Sequence, residues 1–225
     1  MQVSGSEFGS EPLGHAFVLR VPLARATASR CADCGCDIRA HARQEVTDEQ
    51  FLSVLNVLDD GVPSDILPGE LLVGGYKSVV NISKDGGSSV AVLNCAGKKL
   101  HSFLPATRHH FDSLRDAGRL LDVEWEDSEA FKIPLEDVAV ALAWAGEHVA
   151  AGRAVLINCA QGKSRSGTMA TAFIMAKHKV GVDEALCFLR ARRPLVEPNP
   201  AFVSFLRSFE AEIRGLPGPC APHER

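Results

Sequence analysis

Residues 154–168 decide the fold, and they read Ala-Val-Leu-Ile-Asn-Cys-Ala-Gln-Gly-Lys-Ser-Arg-Ser-Gly-Thr. Four apolar residues predict a buried strand. A short loop follows from Cys159 to Arg165, and after it comes an apolar segment of helical character. A loop of this size at a helix N-terminus can bind a phosphate dianion through its backbone N–H groups. The stretch therefore predicts a strand, an anion-binding loop and a helix, with a thiol at one end of the loop and a guanidinium at the other.

The spacing of Cys159 and Arg165 carries little information by itself, because Cys187 precedes Arg193 by the same number of residues. No strand precedes Cys187 and no Gly follows it before Arg193. This second segment predicts an amphipathic helix in which Cys187 is a small apolar core residue. The preceding strand and Gly162 make the first pair informative.

The composition predicts a globular protein of ordinary type. The chain has 225 residues, of which 46% are hydrophobic and 23% charged, and this length can bury a full core. A net charge of −4 argues against a dedicated nucleic-acid-binding protein. No apolar run is long enough to span a bilayer, and the N-terminus lacks the pattern of an export signal. We expect a cytoplasmic location, with the nucleus as a further candidate, where the seven Cys would be mostly reduced thiols.

The order of elements predicts an α/β domain between two less regular segments. We expect an N-terminal extension over residues 1–62 that is partly disordered and carries a Cys-rich segment and a helix from Thr47 to about Leu58. The α/β domain covers residues 63–215, and a flexible tail covers 216–225. Strands are predicted at Leu71–Val73, Val90–Leu93, Leu120–Trp125 and Ala154–Ile157. One helix is predicted from Pro105, and three more over 166–179, 183–193 and 200–214. A further helix is predicted between these, because one helical face collects the apolar residues Leu135, Val138, Leu142, Ala145 and Val149. This alternation predicts a sheet with helices on both faces.

The residues of the loop suit phosphoryl transfer. Gly162 can take a backbone conformation that other residues resist. Arg165 can donate two parallel hydrogen bonds to phosphate oxygens. The same positive field lowers the pKa of the Cys159 thiol, and the resulting thiolate can attack phosphorus to give a phosphocysteine. The leaving oxygen needs a proton, so a carboxylic acid is expected nearby. No cofactor is expected, since Arg165 and the loop amides supply the charge stabilisation.

Asn158 to Ser166 resembles the signature of the dual-specificity protein phosphatases, within the cysteine-based tyrosine phosphatase superfamily. The similarity extends over residues 65–214. Its opening part is Ile66-Leu-Pro-Gly69 with Leu71-Leu-Val-Gly-Gly-Tyr76, and its closing part is Arg193-Pro194 and Pro198-Asn199 with Phe202. The resemblance implies a three-layer α/β fold with a central, mostly parallel twisted sheet of about five strands. It also implies hydrolysis of phosphotyrosine and phosphoserine/threonine by a catalytic domain over 63–215.

The resemblance assigns the site residues. It makes Cys159 the nucleophile and Asp127 the general acid, because the family carries its acid in a loop after a strand at this distance upstream. Glu126 is adjacent to Asp127, while Asp137 falls in the first turn of a predicted helix and would favour the dipole there. Ser166 would bond the Cys sulfur and assist its departure, and it could also cap the helix. Phosphate binding is assigned to Ala160, Gln161, Gly162, Lys163, Ser164 and Arg165.

Two residues depart from the pattern that is usual in that family. Asn158 stands where the family usually has His, and Asn can hydrogen-bond but cannot carry a charge. Lys163 lies inside the loop, where phosphoinositide phosphatases of the superfamily often have Lys, although a solvated side chain at the loop rim is the simpler interpretation. Lys163 could form a basic rim for an acidic substrate with a basic run that is otherwise a plain solvated surface, namely Lys98, Lys99, Arg108, His109, His110, Arg115 and Arg119.

These two residues leave alternative functions open. Lys163 motivates a phosphoinositide or other non-protein phosphatase, and Asn158 motivates a weakly active phosphopeptide-binding pseudophosphatase. The expected partner is a phosphorylated protein, with a protein kinase as one candidate and no nucleic acid, and the oligomeric state is open.

The N-terminal extension carries a candidate zinc site at Cys31, Cys34, Cys36 and His41. Cys-x2-Cys is a common ligand pair, and the second pair would come from Cys36, His41 or His15. A flexible, thiol-bearing extension without metal is the alternative.

Overall fold

The computed structural model describes residues 61–84, 89–98 and 107–213. The helix predicted from Thr47, the zinc candidates Cys31, Cys34, Cys36 and His41, and the tail over 216–225 lie outside the described residues. Predictions on them, and the domain boundaries, stay predictions. The elements in chain order are β1 (Ser64–Leu67), β2 (Leu71–Gly74), α1 (Tyr76–Lys84), β3 (Val90–Asn94), α2 (Arg108–Asp116), β4 (Leu120–Asp122), α3 (Leu135–Ala150), β5 (Ala154–Asn158), α4 (Arg165–His178), α5 (Val182–Arg192) and α6 (Pro200–Ile213).

A five-stranded sheet of order β1-β2-β5-β3-β4 forms the middle layer. β1 runs antiparallel to β2, and the other neighbouring pairs are parallel. β5 lies at the centre, with its Leu156 opposite Leu72 of β2 and Val92 of β3. A central strand is covered on both faces, which explains its continuous apolar run. The predicted mostly parallel α/β sheet is confirmed.

The two faces of β5 belong to two separate clusters of the core. Val155 and Ile157 pack in the larger cluster, together with buried residues of α3, α4, α5 and α6. Leu156 points to the opposite face and packs with Val79 of α1 and Phe111 of α2. Successive strand residues face opposite sides of a sheet, so the apolar run of β5 packs against the helices on both faces.

Several elements differ from the sequence-based predictions. Helix α1 was not predicted, although its buried Tyr76, Val79 and Val80 hold it on the sheet. β4 ends at Asp122 rather than at Trp125, because the chain turns off to bury the Trp125 ring. Cys187 is exposed on α5 and is not a core residue.

The remaining helix predictions hold with small shifts of their ends. Leu135 is 39% exposed and does not share the buried face of α3. The helix predicted from Pro105 begins at Arg108, with Thr107 as its N-cap, and residue 105 lies outside the described residues. Among the described helices, none has both the length and the apolar character required to cross a membrane.

The candidate site lies at the carboxyl ends of β2, β5 and β3, where the chain leaves β5 at Asn158 and enters α4 at Arg165. In open α/β sheets this edge is where ligands bind.

Candidate active site

The loop from Cys159 to Ser164 turns its carbonyl groups away from its interior. Successive carbonyls accept hydrogen bonds from outside the loop, and the pairs are Tyr76 N to Ala160 O (3.3 Å), Arg193 Nη2 to Gln161 O (3.2 Å), Arg193 Nε to Gly162 O (2.8 Å), Glu197 N to Lys163 O (3.2 Å) and Thr168 N to Ser164 O (2.8 Å). A trans peptide holds its C=O and N–H on opposite sides. The amide N–H groups of Gln161 to Arg165 therefore face the interior of the loop, as anion binding requires.

Gly162 is required by the path of this loop. Its φ is +69°, in the left-handed region that favours glycine. A Cβ at this position would lie 2.5 Å from the carbonyl carbon of Gly74 and 2.6 Å from its oxygen. Backbone atoms cannot swing aside as a flexible side chain can. Only glycine fits between β2 and the loop.

Gly162→Ala is expected to lower kcat/KM for an aryl phosphate by about a hundredfold, because a displacement of the loop by about 1 Å is enough for such a loss. Gly118 provides the matched control. Its φ is +65°, but nothing lies within 4 Å of a Cβ built there. Gly118→Ala should therefore lower the Tm through backbone strain and leave kcat/KM unchanged. Equal kcat/KM in the two variants would contradict the role of the Gly74 contact.

Cys159 is buried at the start of the loop, with its Sγ 3.3 Å from Ser166 Oγ. Burial alone would raise the pKa of this thiol. Two effects outweigh burial and hold the pKa below its ordinary value: the charge of the Arg165 guanidinium, and hydrogen bonds from the side chain and backbone of Ser166. The Asp127 charge acts in the opposite direction but is the smaller effect. The structure therefore favours a thiolate at Cys159.

Ser166 faces the sulfur and does not cap the helix. Helix α4 begins at Arg165, so Ser164 occupies the cap position, and its hydroxyl donates to Asp127 Oδ1 and accepts no hydrogen bond from a helix amide. The prediction that Ser166 could also serve as the N-cap is wrong, because it lies inside the first turn.

Cys95 is a second buried thiol next to the loop, and the sequence analysis did not single it out. It follows β3, and its N–H donates to Asn158 O at 2.7 Å. Burial and then the charge on Cys159 raise its pKa well above the ordinary value, while Arg165 acts in the opposite direction. The pKa values of the two neighbouring thiols thus shift in opposite directions, which favours the thiolate at Cys159 and the thiol at Cys95.

Arg165 closes the loop. Its Nη1 donates to Trp125 O at 3.1 Å, and its Nε lies 3.7 Å from Asp127 Oδ2. Among the described residues this buried Nε has no hydrogen-bond partner. A buried N–H group without a partner is costly, and a bound phosphate oxygen would satisfy it.

Asp127 lies against the loop, as its assignment from the resemblance requires. Ser164 Oγ donates to its Oδ1 at 2.7 Å, and Asn199 Nδ2 donates to the same atom at 3.3 Å. Its side chain is half-exposed, so a carboxyl proton can reach a substrate bound in the loop.

The other two carboxylates of this region are placed differently. Asp137 accepts a hydrogen bond from Trp125 Nε1 at 3.1 Å. Together with a T-shaped contact between the rings of Trp125 and Phe202, this bond fixes the segment that leads to Asp127. Glu126 is exposed. Asp137 therefore anchors the loop that carries Asp127, in keeping with its predicted place in the first turn of α3.

Asn158 is fully buried and belongs to a short polar network. Its Nδ2 lies 3.4 Å from Asn94 Oδ1 and 3.5 Å from Cys159 O, and its Oδ1 has no hydrogen-bond partner among the described residues. Asn94 Nδ2 in turn donates to Asp122 Oδ1 at 2.8 Å. Asn158 thus holds the start of the loop with long, weak bonds and brings no charge to the thiol.

Lys163 is paired with Glu197 at the rim of the loop. Its Nζ lies 2.6 Å from Glu197 Oε2, and only 21% of its side chain is exposed. Since Glu197 N also donates to Lys163 O, the two residues are tied through both side chain and backbone. The charge of Lys163 is therefore offset locally.

The three arginines of the predicted basic rim are paired or remote from the loop. Arg108 and Arg115 form ion pairs with Asp112, and Arg115 also pairs with Asp122. Arg119 donates to Val90 O at the start of β3, the end of the sheet opposite to the loop. Lys99 lies outside the described residues. Of the two predictions, the geometry favours a solvated surface.

Within residues 61–84, 89–98 and 107–213, no group of three or more His, Cys, Asp or Glu could hold a metal ion. The zinc prediction concerns the undescribed N-terminal residues, and it stays a prediction.

The fold and the loop together define an α/β domain that places a thiol at an anion-binding helix N-terminus. The family model of the dual specificity phosphatase catalytic domain matches residues 79–212, and the chain belongs to that family. The resemblance predicted from Asn158 to Ser166 is confirmed.

Curated relatives match the chain over part of their length. Dual specificity protein phosphatase 1B of Arabidopsis thaliana is 42% identical over 67 residues, which cover 30% of this chain and 40% of that protein. Dual specificity protein phosphatase 2 of Homo sapiens is 28% identical over 160 residues, which cover 70% of this chain and 46% of that protein. The chain thus spans less than half the length of these relatives.

Solved structures agree in fold. Human DUSP28 aligns with a TM-score of 0.55 at 23% identity, covering 68% of this chain and 95% of that one. PTPMT1, in complex with PI(5)P, aligns with a TM-score of 0.54 at 20% identity, covering 68% of this chain and 97% of that one. At such identity the likeness concerns the fold alone.

Proposed function

We propose that the chain is a dual-specificity protein phosphatase that hydrolyses phosphotyrosine and phosphoserine/threonine through a phosphocysteine, with residues 63–215 as the catalytic domain. The observation that carries the proposal is the Cys159 sulfur beside Ser166 Oγ at the start of a loop whose amides face inward, a setting that lowers the pKa of the thiol. Family membership supports the same conclusion.

In the first step the Cys159 thiolate attacks phosphorus, the bond from phosphorus to the leaving oxygen breaks, and Asp127 gives its proton to that oxygen. Arg165 and the inward amides bind the other phosphoryl oxygens and stabilise the charge of the transition state. Arg165 Nε lies 3.7 Å from Asp127 Oδ2 without a hydrogen bond to any described residue, so this buried N–H group is available for the contact.

In the second step water attacks the phosphocysteine. Asp127, now a carboxylate, takes a proton from the water, and the sulfur–phosphorus bond breaks. Ser166 Oγ lies 3.3 Å from the sulfur, where it can donate a hydrogen bond to the departing thiolate. The same residues thus serve both steps, and inorganic phosphate leaves.

The test compares initial rates of wild-type protein on a phosphotyrosine peptide, a phosphothreonine peptide and a soluble inositol polyphosphate. We expect both peptides to be hydrolysed with the higher kcat/KM. Preference for the inositol polyphosphate would replace the proposal by a phosphoinositide phosphatase. Peptide binding without turnover would instead identify a pseudophosphatase.

The ion pair between Lys163 and Glu197 supports protein substrates over polyanionic ones, because the Lys charge is already offset. Glu197→Gln is expected to raise kcat/KM for an inositol polyphosphate by about two- to fivefold, the usual worth of an exposed ion pair. Activity on the phosphotyrosine peptide should change less. Asp183→Asn, which breaks an exposed pair with Arg207, is the control. No change in the substrate ratio would show that Lys163 has no part in selection.

For the physiological setting, we propose phosphorylated proteins as substrates, with a protein kinase as one candidate. We propose a cytoplasmic or nuclear location, because a nucleophilic Cys159 must stay reduced.

A further inference from the structure

Arg193 lies beneath the phosphate-binding loop, although it precedes Pro194 in a segment far along the chain. Its guanidinium donates to Gly162 O from Nε at 2.8 Å and to Gln161 O from Nη2 at 3.2 Å. Its Nη1 donates to Ser64 Oγ at 3.2 Å. The residue is only 4% exposed, so water does not compete for these bonds.

The two carbonyls that Arg193 holds determine the direction of two loop amides. The Gln161 carbonyl shares a peptide plane with the Gly162 N–H, and the Gly162 carbonyl shares a plane with the Lys163 N–H. Both bonds are trans, since the described residues contain no cis peptide. Each carbonyl that is drawn outward therefore turns an N–H inward.

Arg193 is itself held in place by the backbone around it. Its N–H donates to Leu189 O at the end of α5, and its carbonyl accepts from Val196 N. The following proline restricts it to an extended conformation, and its φ is −134°. The planar guanidinium thus meets the loop in a preset orientation, and a Lys ammonium could not hold both carbonyls in the same fork.

We propose that Arg193 is a positioning residue that aims the Gly162 and Lys163 amides at the phosphoryl group. It contacts no substrate atom and acts through the loop. The inference rests on the proposed function only in that it takes the ligand of the loop to be a phosphoryl group.

The test measures orthovanadate binding by titration calorimetry, together with kcat/KM for an aryl phosphate, below the Tm of every variant. Arg193→Lys is expected to weaken vanadate binding and to lower kcat/KM by about ten- to a hundredfold, less than the roughly 10²- to 10³-fold loss of an oxyanion donor, because the amides are misaligned and not removed. Arg192→Lys, an exposed neighbour on α5, should leave both values unchanged.

Arg193→Ala gives a readout that a purely structural role would not produce. If the guanidinium aligns the loop, millimolar methylguanidinium should enter the vacated space and restore part of the vanadate affinity, and it should leave Arg192→Lys unaffected. If Arg193→Ala fails to fold, the vanadate affinity and kcat/KM of Arg193→Lys alone test the inference.

Wild-type vanadate affinity in folded Arg193→Lys would overturn the inference. Vanadate binding needs no turnover, so a wild type that binds vanadate yet hydrolyses no ester would refute the proposed function and leave Arg193 testable.

Discussion

Cys159→Ser is expected to lower kcat for an aryl phosphate by about 10⁴-fold or more, the order of loss that follows removal of a covalent nucleophile. A serine hydroxyl holds its proton far more tightly than a thiol does, so the field that favours a thiolate leaves the serine protonated. Arg165 and Ser166 lower the pKa of the Cys159 thiol. The same lowering has little effect on a serine hydroxyl, because its ordinary pKa is far higher than that of a thiol.

Cys187→Ser is the control for this experiment. Cys187 is exposed on α5, and its replacement should leave kcat unchanged. Iodoacetate inactivation of the wild type supplies the pH dependence. Because the pKa of Cys159 is lowered, the alkylation rate should reach half its maximum at a pH below that of an ordinary thiol. Substantial turnover by Cys159→Ser, or its loss in Cys187→Ser, would refute the assignment.

The sequence predicted the central strand, the loop and the helix because they follow one another along the chain. The apolar run of Val155 to Ile157 fixed the strand as buried, and Gly162 marked the loop. These signals are local, so they could be found without any knowledge of the contacts between elements. The mostly parallel sheet then followed from the alternation of strands and helices.

The residues that hold the loop open could not be found in this way, because they come from distant segments. Tyr76 begins the helix after β2, while Glu197 and Arg193 follow α5. No periodicity links them to residues 159–164. They meet only because the sheet order brings β2 beside β5 and because the α5–α6 connection passes under the loop.

Arg193 shows how spacing misleads. It looked like the partner of Cys187 in a chance repeat of the loop spacing, yet the structure places it against the true loop and leaves Cys187 exposed. Burial explains the difference. A guanidinium can be buried only where polar acceptors satisfy it, and the outward carbonyls of Gln161 and Gly162 provide them.

Asp127→Asn is expected to lower kcat/KM for a phosphotyrosine peptide by about 10²- to 10⁴-fold, the usual contribution of a general acid. For an ester with an activated leaving group the loss should be under about tenfold, because a good leaving group departs without a proton. Asn keeps the size of the side chain and can still accept the bond from Ser164 Oγ through its amide oxygen, so the loop should stay in place.

Glu126→Gln is the matched control for the acid, since it alters the adjacent exposed carboxylate and should leave both rates unchanged. Plots of kcat/KM, which excludes hydrolysis of the phosphocysteine, against leaving-group pKa for a series of aryl phosphates give the measurement, and the slope should be much steeper for Asp127→Asn than for the wild type. The geometry makes this difference a sharp test. Asp127 contacts both Ser164 and Arg165, so its removal could also slow the reaction by disturbing phosphate binding. That disturbance would act equally on all esters, whereas loss of proton donation selects the poor leaving groups. An equal decrease across the series would therefore assign Asp127 to binding and require another acid.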